Sequence, residues 1–144
     1  MKCYSTEVLY FIFKGERNQM KTHSPLFAML AKSAKQQVGE INVHQAKAQL
    51  SESAKPVLVD VREESEWNKG HLPGAIHLSK GIIERDIEKI IPDLNASVIL
   101  YCGGGYRSAL AAKNLQEMGY KNIISMDGGF RGWCEAGYPV VHEE

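Results

Sequence analysis

From residue 40 onward the chain alternates short, continuous apolar runs with segments of helical spacing. Residues 57–61 (Val-Leu-Val-Asp-Val), 98–102 (Val-Ile-Leu-Tyr-Cys) and 123–126 (Ile-Ile-Ser-Met) have the length and the β-branched content of strands covered on both faces. Shorter runs at 41–43 and 75–78 read as two further strands. Helical spacing appears at 44–50, at 81–91 before Pro92, and at 109–118, where Ala111, Ala112, Leu115 and Met118 share a face and Gly119 marks a stop. Residues 63–69 read as a helical turn, and a turn and short helix follow Met126. Strand and helix in alternation predict an α/β fold, with a mostly parallel central β-sheet of about five strands and helices on both faces.

The first part of the chain has a different pattern. Residues 25–37 predict an amphipathic helix with Ser24 as N-cap and Pro25 at its first position; Leu26, Phe27, Leu30, Ala34 and Val38 lie on one side and Gly39 lies near its end. That face is expected to pack on the main domain. Residues 8–13 are apolar but far short of the roughly 20 residues of a membrane span, and no signal-peptide cleavage pattern flanks them, so neither membrane insertion nor secretion is expected. The polar stretch 14–23 reads as a linker, or the whole region as an extension upstream of a start at Met20. The expected organisation is a flexible extension over 1–23, an amphipathic helix over 24–36, and one domain over 37–144.

The chemistry concentrates where the strand at 98–102 ends. Cys102 is followed by Gly103, Gly104, Gly105, Tyr106, Arg107 and Ser108, and then by a helix. Consecutive glycines let a backbone turn its N–H groups inward, and a helix start adds partial positive charge, so the loop can form an anion-binding nest. A free cysteine has a pKa of about 8.5, whereas helix N-termini and nearby cations bring cysteines to roughly 3.5–7.5. Cys102 is therefore a candidate nucleophile, and the planar fork of Arg107 suits a tetrahedral oxyanion. The plainer alternative is a buried cysteine beside a turn that serves only geometry.

Two flanking segments carry the rest of the pattern: Asp60-Val61-Arg62 with Gly70-His71-Leu72-Pro73-Gly74-Ala75, and Asp127-Gly128-Gly129-Phe130-Arg131-Gly132-Trp133. With Cys102 between them, the order resembles a single-domain rhodanese, a family of sulfurtransferases, over about residues 37 to 142. The resemblance implies that Cys102 accepts a sulfane sulfur from thiosulfate or a persulfide and passes it to cyanide or a thiol, in two covalent steps. It implies that Gly103, Gly104, Gly105, Tyr106 and Arg107 bind the substrate, that Asp60, Arg62, His71 and Ser108 support the loop, and that neither metal nor organic cofactor is needed. His71 is expected to hydrogen-bond its loop rather than act as a base. His23, His44, His77 and His142 receive no role.

Four residues separate Cys102 from Arg107, as in rhodaneses, whereas related cell-cycle phosphatases carry a longer loop. This ranks a small phosphatase or arsenate reductase behind sulfur transfer. A non-catalytic rhodanese-like binding module is the other alternative, and the presence of Cys102 and Arg107 counts against it. Many thiosulfate-using members place a basic residue just after the cysteine; here three glycines supply no charge, which opens the choice of donor to a protein such as a cysteine desulfurase.

Composition narrows the partners. Lysine plus arginine and aspartate plus glutamate number 17 each, so no net basic field recruits nucleic acid. Cys3, Cys102 and Cys134 are widely spaced and odd in number, which argues against a disulfide framework or a zinc site. Cys134 is expected to be structural, and a reducing, cytoplasmic location fits that usage. A chain of 144 residues suits one core that removes roughly two thirds of its surface from water.

Overall fold

The computed structural model describes residues 23–142. In chain order these form α1 (Pro25–Gln37), β1 (Gly39–Ile41), α2 (Val43–Leu50), β2 (Val57–Asp60), α3 (Glu64–Trp67), β3 (Ile76–His77), α4 (Ile83–Ile90), β4 (Ser97–Tyr101), α5 (Tyr106–Glu117), β5 (Asn122–Met126) and α6 (Gly129–Glu135). The five strands make one sheet in the order β1-β5-β4-β2-β3, with every pairing parallel.

Alternation along the strands sorts the core into two layers. Val59, Val98, Leu100 and Ile123 face α4 and α5, where Ile83, Ile87, Ala111, Ala112 and Leu115 cover them. Leu58, Ile99, Tyr101 and Met126 face α2 and α6, where Val43, Ala46 and Trp133 pack. Helices on both faces explain why β2 and β4 read as unbroken apolar runs. β4 lies at the centre, so its carboxyl end is flanked by strand ends on both sides, the position where open parallel sheets bind ligands.

Two boundaries and one packed face depart from the sequence reading in ways that bear on the site. β1 lies at Gly39–Ile41 rather than 41–43, because Asn42 caps α2: its Oδ1 accepts the Gln45 amide at 2.8 Å, and the Gln45 side chain accepts the Asn42 amide at 2.8 Å. α5 starts at Tyr106 rather than 109, which puts Arg107 and Ser108 in its first turn. The packed face of α1 is also rotated. Ala31 and Ala34 are buried and Phe27 and Val38 half-buried, while Leu26 and Leu30 remain 78% and 61% exposed. The helical period is right, but α1 lies along α5 on its small-residue side. Lys35 fixes that docking through ion pairs to Glu40 at 2.6 Å and Asp127 at 2.8 Å.

Cys134 is buried and disulfide-bonded, not the free structural thiol expected. The run at 8–13 and the stretch 14–22 also lie outside them. No described helix is long and apolar enough to cross a membrane.

Candidate active site

The buried strand β4 carries the chain to Cys102, which is 1% exposed. The loop turns at Gly103 to Gly105 and enters α5. Cys102 Sγ accepts the Gly105 amide at 3.1 Å and lies 3.5 Å from Ser108 Oγ. Ser108 Oγ is in turn 2.8 Å from Ser125 Oγ on β5, and both serines are fully buried. A hydroxyl pair therefore backs the sulfur inside the core.

The opening residues of α6 hold the loop from behind. Phe130 N–H donates to Cys102 O at 2.8 Å, Arg131 N–H to Gly103 O at 3.1 Å and Gly128 N–H to Gly104 O at 3.1 Å. In a trans peptide the N–H points opposite the C=O, so tying three successive carbonyls to α6 turns the amides of Gly103, Gly104 and Gly105 the other way. The Gly105 amide on Cys102 Sγ is one of these. The approach requires glycine at 129, where φ is +56° and a Cβ would lie 2.5 Å from Cys102 O.

A cavity of about 250 Å³ opens over this loop. Two guanidinium groups line it, from Arg107 and Arg131, and three rings, from His23, Phe27 and Tyr106. Arg107 makes a two-point ion pair with Glu66, Nη1 to Oε1 at 2.6 Å and Nη2 to Oε2 at 3.0 Å. Partial burial pushes the Glu66 carboxyl up, but the hydrogen bonds and charge of Arg107 outweigh this and hold it below the ordinary carboxylate range.

Asp60, Arg62 and His71 lie behind the loop rather than in the cavity. Arg62 donates to both Asp60 carboxylate oxygens and, at 2.7 Å, to Gly70 O, which ties the end of β2 to the turn at 70–74. Its guanidinium also sits 4.1 Å from the Phe130 ring, so this buried pair braces the start of α6 that holds Cys102 O. Tyr101 adds to the brace by accepting the Leu72 amide at 3.0 Å. Burial, with the Asp60 charge next, raises the Tyr101 phenol well above its usual value, so it remains neutral. His71 Nδ1 lies 3.0 Å from Leu72 O within its own turn, and its ring stacks on Trp67 at 3.5 Å.

The structure thus brings Cys102 to Ser108 together and places Asp60, Arg62 and His71 as supports. Sequence reading missed Glu66, Ser125, Arg131, His23 and Phe27. Ser125 had a signal, a polar residue in a strand otherwise apolar on both sides. Arg131 had one in the Asp-Gly-Gly segment that carries it. Nothing local singles out Glu66 from Glu63 and Glu64, or brings His23 to a site some 80 residues away in sequence.

A family model described as Rhodanese-like domain matches residues 42–136, which is most of the chain and includes the whole loop. The chain belongs to the rhodanese-like family. A thiosulfate sulfurtransferase of Haemophilus influenzae is 37% identical over 101 residues, covering 70% of this chain and 92% of that protein. A sulfurtransferase of Allochromatium vinosum is 31% identical over 107 residues, covering 74% and 98%. The solved structure of a polysulfide-sulfur transferase homodimer from Wolinella succinogenes superposes with a TM-score of 0.70 at 30% identity, covering 83% of this chain and 89% of that one. This rhodanese-like chain is an enzyme of the sulfurtransferase class. The segment matched by the family model starts after α1, whose Phe27 lines the cavity together with His23.

Proposed function

We propose that this chain carries sulfane sulfur as a persulfide on Cys102, taken from a small anionic donor and delivered to a thiophilic acceptor. In the first step the Cys102 thiolate attacks the outer sulfur of a donor such as thiosulfate. A new S–S bond forms at Cys102, the donor's S–S bond breaks, and sulfite leaves with the electron pair. In the second step cyanide or a thiolate attacks the terminal sulfur, and Cys102 leaves with the electron pair. Electrons balance across the two steps, so the reaction needs no organic cofactor. Among the described residues no cluster of three or more His, Cys, Asp or Glu could hold a metal.

The observation that carries this reading is the Gly105 amide on Cys102 Sγ at 3.1 Å beneath a cavity with two guanidinium groups. The amides of Gly103 and Gly104, turned away from α6, would receive the charge that builds on the transferred sulfur or the departing oxyanion. Arg131 stands beside Gly104, its Nη1 3.4 Å from where a Cβ would be, and supplies the positive charge that the three loop glycines lack. Arg107 shares its fork with Glu66, which sets its orientation toward the loop.

The test is intact-protein mass spectrometry after incubation with thiosulfate, with and without cyanide, on the wild type, Cys102→Ser and Cys134→Ser. One added sulfur, about 32 Da, is expected in the wild type and in Cys134→Ser, none in Cys102→Ser, and none after cyanide. Equal loss in both variants would refute a single nucleophile. If thiosulfate fails and a cysteine desulfurase persulfide succeeds, the donor is a protein and the persulfide step stands.

A further inference from the structure

β5 carries a hydroxyl into a layer built from apolar side chains. By the two-residue alternation of a strand, Ser125 points to the same face as Ile123, and Leu100, its parallel partner on β4, shares that face with Cys102. Apolar residues of α4 and α5 cover this layer, and Ser125 is fully buried within it. A buried hydroxyl is costly unless it is hydrogen-bonded. Among the described residues Ser125 Oγ has one partner, Ser108 Oγ at 2.8 Å, and Ser108 Oγ lies 3.5 Å from Cys102 Sγ. Counting hydrogens gives these bonds a direction, because each hydroxyl has only one to donate. With Cys102 as a thiolate, two hydrogens serve two links. If Ser125 donates to Ser108 and Ser108 to Sγ, both are used. If Ser108 donated to Ser125 instead, the Ser125 hydrogen would have no acceptor among the described residues, and Sγ would keep only the Gly105 amide. A hydrogen bond to a charged acceptor is also stronger than a neutral one, which favours the first arrangement further.

We propose that Ser125 is a positioning residue for sulfur transfer: its O–H donates to Ser108 Oγ and thereby commits the Ser108 hydrogen to Cys102 Sγ. Without that bond the Ser108 hydroxyl is released to turn toward a carbonyl of the preceding turn, as helical serines do. Ser125 does not line the cavity and touches neither donor nor acceptor, so it acts through Ser108. The gain falls on the second step, in which the acceptor takes the terminal sulfur and Sγ leaves with the electron pair. No proton passes along the two serines; only the direction of their hydrogen bonds is held. The proposal rests on the persulfide reading above and adds to it the group that aims Ser108.

The experiment loads the persulfide from thiosulfate, or from a cysteine desulfurase persulfide where thiosulfate does not load, and times its discharge to cyanide by intact mass. The proteins are the wild type, Ser125→Ala, Ser108→Ala, the double variant, Ser125→Thr and Ser125→Val. Ser125→Ala should slow discharge by about 2- to 13-fold, the value of one neutral hydrogen bond. The double variant should be no slower than Ser108→Ala, because Ser125 has no route to the sulfur once the Ser108 hydroxyl is gone. Ser125→Thr keeps the hydroxyl and should discharge faster than Ser125→Val, which has the same shape without it. That pair carries the comparison alone if melting shows Ser125→Ala to be unfolded. Losses that multiply in the double variant, an unchanged rate in Ser125→Ala, or equal rates in Ser125→Thr and Ser125→Val overturn the role of Ser125 and leave the persulfide standing. Failure of the wild type to load from either donor overturns both.

Discussion

Replacing Gly129 by alanine tests whether α6 holds the Cys102 loop as the hydrogen bonds indicate. A Cβ at 129 would lie 2.5 Å from Cys102 O, 2.7 Å from the Gly103 carbonyl carbon and 2.8 Å from Gly103 O. These are backbone atoms pinned by the amides of Phe130 and Arg131, so they cannot swing aside as a side chain would. A left-handed conformation costs a non-glycine residue about 1–2 kcal/mol. Opening the clearance breaks two backbone hydrogen bonds worth about 0.5–1.5 kcal/mol each. Gly129→Ala should therefore destabilise the protein by about 2–5 kcal/mol and displace the carbonyls that aim the loop amides at Cys102 Sγ. Gly137→Ala is the control: its φ of +77° carries the same strain, but nothing lies within 4 Å of its Cβ, so only about 1–2 kcal/mol should be lost. Urea denaturation gives both values, and sulfur loading followed by mass spectrometry gives the effect on the site. Equal destabilisation of the two variants, or wild-type loading by Gly129→Ala, would refute the account of α6 as the loop's clamp.

Two further outcomes follow from the pairs around the sulfur. Ser108→Ala removes a hydrogen-bond partner from Cys102 Sγ at the stage where the sulfur leaves with negative charge; discharge of the persulfide to cyanide should slow by about 10- to 150-fold, the value of a hydrogen bond to a charged group. An unchanged discharge rate would remove Ser108 from the reaction. The Glu66 carboxyl is held below its ordinary range, so its pairing with Arg107 stabilises the fold fully at neutral pH and loses that effect as pH falls below about 4.3 and on through the lowered value. The stability gap between the wild type and Glu66→Gln should therefore be present at pH 7 and close in acid; because the pair is about a third exposed, the gap is modest. A gap that widens on acidification would contradict this sign.

Much of the fold was readable locally. Parallel strands buried on both faces must be apolar throughout, so β2, β4 and β5 stood out as runs, and the helices between them as 3.6-residue periods. The β4–loop–α5 order carried Cys102, its glycines and Arg107 to the end of a central strand, where the structure has them. Boundaries were less legible where side chains compete for the backbone. Asn42 and Gln45 close a capping box that ends β1 early, a reciprocal pairing that hydrophobic spacing does not register.

The amino-acid sequence alone determined the α/β class, the family and the six-residue segment from Cys102 to Arg107, because each depends on residues adjacent in the chain or spaced by one helical or strand period. The partners of those residues were decided by the tertiary structure. Glu66 reaches Arg107 across 41 positions, Ser125 reaches Ser108 across 17, and α6 takes the loop carbonyls only once β5 lies beside β4. The phase of α1 was decided in the same way. Leu26 and Leu30 make as apolar a stripe as Phe27, Ala31, Ala34 and Val38, but only the small-residue side lies on α5, and that choice sets Phe27 in the cavity over Cys102. Hydrophobic pattern specifies that a face is buried, while the shape of what it is buried against specifies which face.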